Sequence, residues 1–214
     1  MQNDPKGAPA WQRRGSAGRL TLFQNPVLEF FTYSHPFTAI ALWLPVGLAC
    51  LGWPEISRST EGPGAVARVL LALAGVAVWG LAEYSIHRWI FHFPARREYS
   101  RRFVFVIHGC HHVDPQDARR NMMPLTASLP IGLAVFSLAR WLLGATAATQ
   151  FFGAFALSYL AYDLTHFALH QLKFSNPVFR ALQERHRTHH FRNARRNYAT
   201  LSTWVDHAFG TAAK

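Results

Sequence analysis

The sequence predicts an all-α integral membrane protein with four transmembrane helices, arranged as two hairpins, and a cytoplasmic helical cap. Three observations predict this fold class: long segments without charge, basic residues gathered in a few places, and histidines gathered in four short groups. Half of the 214 residues are hydrophobic and only 15% are charged, against about 25% in soluble domains. A chain of this length is expected to form one domain.

Uncharged segments define the predicted transmembrane helices. The segments without Asp, Glu, Lys or Arg are residues 30–54, 69–82, 121–139 and 141–162. A helix needs about 20 apolar residues to cross the hydrocarbon core of a bilayer. The predicted spans are residues 36–53, 66–84, 125–142 and 146–162. Four buried helices of a soluble bundle are a poorer explanation, because such helices carry charged outer faces.

The basic residues predict how the chain is oriented. Residues 1–35, 86–120 and 170–214 contain four, seven and eight of the 22 Lys and Arg, and four spans place these three segments on the same side of the membrane. The positive-inside rule then predicts cytoplasmic termini and a cytoplasmic middle loop. The net charge of +11 is expected to face anionic lipid headgroups, so a nucleic-acid partner is not expected. We expect a bacterial inner membrane, or the endoplasmic reticulum in a eukaryote.

The N-terminal segment is polar and rich in Gly, Ala and Pro, and it has no apolar core of its own. We therefore predict a disordered cytoplasmic N-terminus over residues 1–30 and no removable signal peptide. The membrane domain is predicted to comprise residues 31–214.

Ten of the twelve histidines fall in four groups. They are His87 and His92; His108, His111 and His112; His166 and His170; and His186, His189 and His190. Residues i, i+3 and i+4 share a helix face, so the HxxHH pattern in two of these groups predicts three imidazoles aimed at one point. His87 and His92 are five residues apart, so they require a helix end or a kink, or else they bind different metals.

Ten imidazoles are too many for one ion, but two ions would receive four or five each. Imidazole suits Zn, Cu, Fe and Ni. A structural zinc is usually four-coordinate and often uses cysteine, and Cys50 and Cys110 fit no metal spacing. The cap is therefore predicted to hold a histidine-rich dimetal site with redox activity, and iron is the natural metal for oxygen chemistry. A metal-binding or metal-transport protein is the alternative, but its ionisable groups would lie near the bilayer midplane.

Other side chains are predicted to serve this site. Glu83 lies four residues before His87 and Asp163 three before His166, so both carboxylates are expected to accept a ring N–H from their histidines. Asp206 is expected to do the same for the fourth histidine group. A substrate groove is predicted to be lined by Trp89, Phe91, Phe93, Phe167 and Phe174. Ordinary packing or interfacial anchoring is the alternative for these aromatic residues.

The motifs together resemble the membrane fatty acid hydroxylase superfamily, which includes sterol desaturases. The matching stretches are HRWIFH, HGCHH followed by NMMP, YDLTHFALH, HRTHHF and TWVDHAFGT, over about residues 80–212. HGCHH with the following MP, and YDLTH, look most like fatty acid 2-hydroxylases without a fused cytochrome b5 domain. The tail RRNYATLSTWVDHAFGT looks more like the superfamily in general.

This resemblance implies a di-iron monooxygenase that uses O2 and two electrons to convert a C–H bond into C–OH. It implies that zinc can replace iron in purified protein, and that a separate cytochrome b5 or ferredoxin supplies the electrons. The expected target is C2 of a fatty acid or of a sphingolipid or ceramide acyl group. C2 lies beside the carboxyl or amide group, near the interface, which is also the depth of the predicted metal site. The alternative is a hydroxylase or desaturase of sterols, carotenoids or other lipids.

Overall fold

The computed structural model describes residues 20–53 and 62–213, and within them all regular structure is helical. The α-helices are α1 (Pro26–Phe30), α2 (Pro36–Leu51), α3 (Ala65–Ser85), α4 (Glu98–Val104), α5 (Cys110–Val113), α6 (Leu125–Leu143), α7 (Ala145–Gln171), α8 (Pro177–Phe191) and α9 (Thr203–Ala208). Two π-helical segments interrupt this pattern. Ile86–Phe91 continues α3, and Phe105–Gly109 joins α4 to α5.

Each of the four predicted spans coincides with a long helix: α2, α3, α6 and α7. Among the described residues, two helices are long and apolar enough to cross a membrane, namely Ala65–Phe91 and Leu125–Leu143, and Pro36–Leu51 is a shorter apolar helix. α6 and α7 are separated by Gly144 alone, whose φ of +80° is a conformation that favours glycine. The predicted spans 125–142 and 146–162 leave only three residues between them, and the connection in the structure is correspondingly short.

Helix α7 lies at the centre of the bundle and packs against α2, α3 and α6, whereas α2 and α3 have little contact with each other. The arrangement therefore differs from two separately packed hairpins. Its cause is the small residues at the α7 contacts: a Cβ on Gly153 would lie 2.8 Å from the carbonyl oxygen of Gly47, and a Cβ on Gly75 would collide with the backbone of α7. Glycine at these positions lets both neighbouring helices approach α7 closely.

An aromatic cluster fills the space between the four long helices. Trp43, Trp79 and Tyr159 are buried there, and the ring of Tyr159 contacts both tryptophans edge-on at 5.5 and 5.2 Å. Such T-shaped pairs are a favourable arrangement of aromatic rings. The indole N–H of Trp43 donates to Ser128 Oγ at 3.3 Å, so this buried donor is satisfied.

The remaining helices gather at one end of the bundle. α8 lies across the C-terminal end of α7, where Gln183 Nε2 donates to the carbonyls of Leu169 and Leu172 at 2.8 and 2.9 Å. These carbonyls belong to the last turn of α7 and the residue after it, where a helix leaves its acceptors unpaired. The side chain of Gln183 thereby fixes α8 over the end of the bundle.

The N-terminal segment behaves differently from the prediction in its described part. Leu20 and Leu22 are buried against Phe105 and Cys110, and buried Glu29 forms an ion pair with Arg120. The same Glu29 carboxylate accepts the backbone N–H groups of residues 22 and 23. The disorder predicted for residues 1–30 therefore does not hold for residues 20–30. The ion pair could not be predicted because Glu29 and Arg120 are 91 residues apart along the chain. Residues 1–19 lie outside the described residues.

Candidate metal centre

All ten predicted histidines meet at the end of the bundle, where they form two groups of five. The His87 group consists of His87, His92, His108, His112 and His189. The His166 group consists of His111, His166, His170, His186 and His190. Within each group, one ring nitrogen per histidine lies within 4.8 Å of all the others.

Each HxxHH motif is divided between the two groups, so the prediction of three imidazoles aimed at one point is wrong. His108 and His112 belong to the His87 group, and His111 between them belongs to the His166 group. At about 100° per residue, positions i+3 and i+4 lie on opposite sides of position i. The i, i+4 pair therefore faces one group while the i+3 histidine faces the other. In the motif of α8, His186 and His190 belong to the His166 group, and His189 between them belongs to the His87 group.

The π-helical segment after α3 explains how His87 and His92 reach the same group. The backbone N–H of His92 donates to the carbonyl of His87 at 3.1 Å, which is an i to i+5 hydrogen bond. A π-helical turn places residues five apart on the same face. The Nε2 atoms of the two rings consequently lie 3.2 Å apart. The structure thus provides the kink that the spacing required.

In the His87 group the Nε2 atoms point at a common centre. Nε2 of His92 lies 3.0 Å from that of His189, and Nε2 of His108 lies 3.1 Å from that of His87 and 2.9 Å from that of His112. A neutral imidazole has one donor and one acceptor nitrogen, so five converging Nε2 atoms cannot all be satisfied by one another. Such convergence is typical of a ligand set.

The cap histidines are uncharged at neutral pH. Burial lowers the pKa of His189 to about 4. Burial and the neighbouring His189 and His92 lower the pKa of His112 to about 2. Burial, followed by nearby histidines, also lowers the pKa of His108 and His186 well below the ordinary value. Neutral imidazole is the form that binds a metal ion.

Backbone carbonyls fix two rings of the His87 group. Nδ1 of His87 lies 2.5 Å from the carbonyl oxygen of Tyr198, and Nδ1 of His189 lies 2.8 Å from that of Arg196. A carbonyl can only accept, so each ring carries its proton on Nδ1 and leaves the Nε2 lone pair for the centre of the group.

Asn121 performs a similar task for the His166 group. Its Oδ1 lies 3.2 Å from Nδ1 of His111, and its own Nδ2 donates to the carbonyl of Pro115 at 3.0 Å. The backbone of Asn121 also forms a hydrogen bond with His166. One residue, 1% exposed, therefore orients two histidines. The sequence showed only a polar residue before the third span, which indicates a helix cap as readily as a partner for histidine.

The three predicted carboxylates do not contact the histidines they were expected to orient. Glu83 accepts the backbone N–H groups of Thr200 and Leu201, and Asp206 accepts those of Tyr198 and Ala199 at 2.9 and 3.0 Å. Both therefore hold the loop whose Tyr198 carbonyl contacts His87. Among the described residues, backbone N–H groups of this loop, and no histidine ring, thus donate to these two carboxylates.

Asp163, too, accepts hydrogen bonds from groups other than the histidine rings. It accepts the backbone N–H of Met123 at 3.2 Å and the hydroxyl of Tyr159 at 3.0 Å. Met123 follows Asn121 by two residues, so Asp163 holds the segment that carries the partner of His111 and His166. Helical spacing alone could not reveal this contact, because Met123 lies 40 residues away along the chain.

The five predicted aromatic residues do not line one groove. Phe91 stacks on His108 at 4.7 Å, Trp89 packs edge-on against Tyr84, and Phe174 stacks on Phe179. Phe93 is exposed, and Phe167 packs against the core of the bundle. An apolar pocket lies instead between the long helices, lined by Trp43, Trp79, Ile86, Met123, Ser128, Ile131, Gly132, Phe152, Phe155, Ala156 and Tyr159. Most of the predicted residues therefore serve packing.

The side chains of both groups fit metal ions. Nε2 of His111 and both ring nitrogens of His190 are buried without a hydrogen-bond partner. These atoms all belong to the His166 group. An unpaired buried polar atom costs about 1–3 kcal/mol, and a metal ion bound to one nitrogen of each ring would remove part of this cost, whereas in the His87 group it is the convergence of the Nε2 atoms that fits an ion. The donor set consists of nitrogen alone, which suits iron or zinc better than magnesium or calcium.

The profile of the fatty acid hydroxylase family matches residues 72–211. This region contains all ten histidines and both π-helical segments. The chain belongs to the fatty acid hydroxylase family. The resemblance found in the sequence is confirmed, and so is the predicted class of enzyme, a lipid-hydroxylating oxidoreductase.

Individual members of the family are similar over most of this chain. The dihydroceramide fatty acyl 2-hydroxylase FAH1 of Arabidopsis thaliana is 31% identical over 190 residues, which cover 88% of this chain and 78% of that protein. The ceramide very long chain fatty acid hydroxylase SCS7 of Saccharomyces cerevisiae is 32% identical, but the match spans only about half of its length, 51%. The solved structure of full-length Scs7p, with only its hydroxylase domain visible, superposes with a TM-score of 0.81 at 32% identity, covering 90% of this chain and 72% of that one.

Proposed function

We propose that this fatty acid hydroxylase is an O2-dependent dimetal monooxygenase that hydroxylates a lipid acyl chain at C2. The single observation that carries this proposal is the pair of five-histidine groups, each converging on one point. The named activities of FAH1 and SCS7 support a fatty acid or ceramide acyl group as the substrate. No feature of the described residues favours a sterol or carotenoid instead.

Two iron ions are the proposed cofactors, one held by each histidine group, and zinc can take their place in purified protein. When bound, iron would supply the redox chemistry that reduces O2 with two external electrons and hydroxylates a C–H bond. The protein contributes neutral imidazoles, rings fixed by carbonyl and amide oxygens, and burial that excludes water. These features keep the Nε2 lone pairs of His87, His189 and His111 oriented toward their group centres before any ion binds.

The apolar pocket is the proposed place for part of the acyl chain. Two of its lining residues, Ile86 and Met123, are close in sequence to His87 and Asn121. The wall of the pocket therefore includes the residue next to His87, and the pocket extends between the long helices. A chain bound there would be held in apolar surroundings while the atoms next to its headgroup remain near the metal centre.

The four long helices are proposed to span the membrane, with residues 31–214 as the membrane domain. The distribution of basic residues supports cytoplasmic termini and a cytoplasmic metal centre, and a bacterial inner membrane remains our preferred location. In this arrangement Glu83, Asp163 and Asp206 position the histidines indirectly, through the loops that they hold.

A separate cytochrome b5 or ferredoxin is the proposed electron donor, and the outer face of α8 is its proposed docking surface. This surface is defined by exposed Arg180 and Arg187 on α8 together with exposed Arg192 and Arg195, which follow its C-terminal end. α8 carries His189 of one group and His186 and His190 of the other, and it lies over the end of α7. An acidic donor bound to the opposite face would be about one helix diameter, ~10 Å, from both groups.

Lipid mass spectrometry on cells expressing the chain tests the proposed reaction. The control is His108→Ala/His111→Ala, which removes one histidine from each group. We expect an acyl species heavier by one oxygen atom, placed at C2 by fragmentation and absent in the control. An unchanged acyl profile, in a host that supplies both kinds of donor, would contradict the proposal, and an altered sterol pool would favour the alternative substrate.

A further inference from the structure

One residue in the loop between α8 and α9 has an unusual backbone conformation. Asn197 has a φ of +55°, and no other non-glycine residue in 20–53 or 62–213 has a positive φ. The left-handed region is unfavourable for residues with a Cβ, although Asn tolerates it better than most. Asn197 is 3% exposed, so the protein interior, and not solvent, maintains this conformation.

The carbonyls on either side of Asn197 contact two histidines of the His87 group. The carbonyl of Arg196 accepts from Nδ1 of His189, and that of Tyr198 accepts from Nδ1 of His87. The two histidines are carried by different elements, α8 and the π-helical segment after α3. The backbone around Asn197 therefore orients rings that no local structure would otherwise keep in register.

The side chain of Asn197 connects this loop to α8 and to the C-terminal segment that follows α9. Nδ2 donates to the carbonyl of Arg185 on α8 at 3.1 Å, and Oδ1 accepts the backbone N–H of Ala213 at 2.8 Å. Its own backbone N–H donates to the carbonyl of Thr211 at 2.9 Å. Rotation of either neighbouring carbonyl would strain or break these bonds.

We propose that Asn197 is a positioning residue that sets the orientation of His87 and His189, and thereby the metal affinity of the His87 group alone. The inference rests on the proposed function in one respect, that this group binds a metal. Within the described part of the chain, residues 196–198 form hydrogen bonds with no histidine other than His87 and His189. The His166 group takes its orientation from Asn121 instead.

Zinc binding to the purified full-length chain, stripped of metal and reloaded with zinc alone, tests the inference. A His111→Ala/His166→Ala/His186→Ala background leaves only two histidines in the His166 group, too few for a tight zinc site, so tight binding is restricted to the His87 group. Asn197→Gly keeps the left-handed backbone without penalty but removes both side-chain hydrogen bonds. We expect it to lower the zinc affinity of this background by about tenfold or more, as loss of an outer hydrogen-bond partner does at other metal sites. Asn197→Ala should lower it further, because the backbone is then strained as well.

The matched control is Asn197→Gly in a His92→Ala/His108→Ala/His112→Ala background, where two histidines remain in the His87 group and only the His166 group can bind zinc tightly. Zinc affinity should be unchanged there. Unchanged affinity in the first background, or an equal loss in both, would overturn the inference. If Asn197→Ala does not fold, Asn197→Gly still decides the question. If the unsubstituted chain binds no zinc, the proposed function itself fails and the inference with it.

Discussion

At the scale of single residues, the two nitrogens of an imidazole have different tasks. In His87, His189 and His111 an oxygen behind the ring engages Nδ1, so Nε2 is left for the centre of the group. The ten histidines could be predicted from the sequence because their spacing is visible in it. Their partners could not, since two are backbone carbonyls, which any residue supplies, and the third is an Asn ten residues from His111.

Asn121 gives a direct test at this scale. Asn121→Ala removes the oxygen that holds His111 and leaves the ring free to rotate, so the zinc affinity of the His166 group should fall by about 10–100-fold. The control is Asn193→Ala, since Asn193 is exposed and its side chain bonds only within its own loop. Calorimetric titration of the metal-stripped chain measures both. Two zinc ions bound with undiminished affinity to Asn121→Ala would refute the role of this residue.

At the scale of elements, the π-helical segments and the path of the N-terminal segment escaped prediction. Helix propensity distinguishes helix from strand, but a π-helical turn differs from an α-helical one by a single extra residue that contacts elsewhere select. The division of each HxxHH motif follows from helix geometry, but it can be predicted only when histidines of other helices are known to lie on both sides of the motif. The docking of residues 20–30 depends on Glu29 and Arg120, which are 91 residues apart.

The Glu29–Arg120 pair is expected to stabilise the histidine-bearing segment. Arg120→Leu would leave the buried carboxylate of Glu29 without its cation, which costs about 3–5 kcal/mol. Thermal unfolding in detergent should therefore show a large loss of stability. Arg101→Leu, at an exposed position of α4, provides the control. If Glu29→Leu/Arg120→Leu is no more stable than Arg120→Leu, an unpaired carboxylate is not the cause.

The docking surface on α8 predicts a salt-dependent encounter with the electron donor. Arg187→Glu reverses a charge on the exposed face of the helix, so the rate of oxidation of a reduced cytochrome b5 domain or ferredoxin should fall about tenfold or more at low salt. Arg140→Glu reverses a charge in the last turn of α6, at the end of that helix away from the metal centre, and should have no such effect. Stopped-flow absorbance follows the donor. Equal rates for the two variants at low ionic strength would place the docking surface elsewhere.

At the scale of the whole molecule, the order of the long helices was predictable because charge-free segments are unambiguous. The central position of α7 was not, since it depends on glycine contacts with α2 and α3 that involve no periodicity. Gathering the histidines at one end requires the helices to be fixed against one another before a metal binds. As a consequence, the histidines of the cap are buried in their uncharged form.

This burial predicts how the metal-free chain responds to pH. The pKa of His189 is lowered to about 4 and that of His112 to about 2, below the ordinary value near 6.5. Below pH 6.5 the unfolded chain binds protons that the folded chain does not, so stability falls as the pH is lowered from 6.5 toward 4. Unfolding of the metal-stripped chain at pH 7.5 and 5 measures this. A midpoint that is higher at pH 5 would contradict the burial of neutral histidines.

Two metal ions in the histidine groups are proposed to use O2 to hydroxylate an acyl chain at C2. The most direct measurement is turnover of the purified, iron-loaded chain with a reduced donor under isotopically labelled O2 in unlabelled water. The account predicts one atom of label per product, located in a hydroxyl group at C2, and no product from His108→Ala/His111→Ala. A hydroxyl oxygen derived from water, a hydroxyl at another carbon, or equal turnover by the double variant would contradict it.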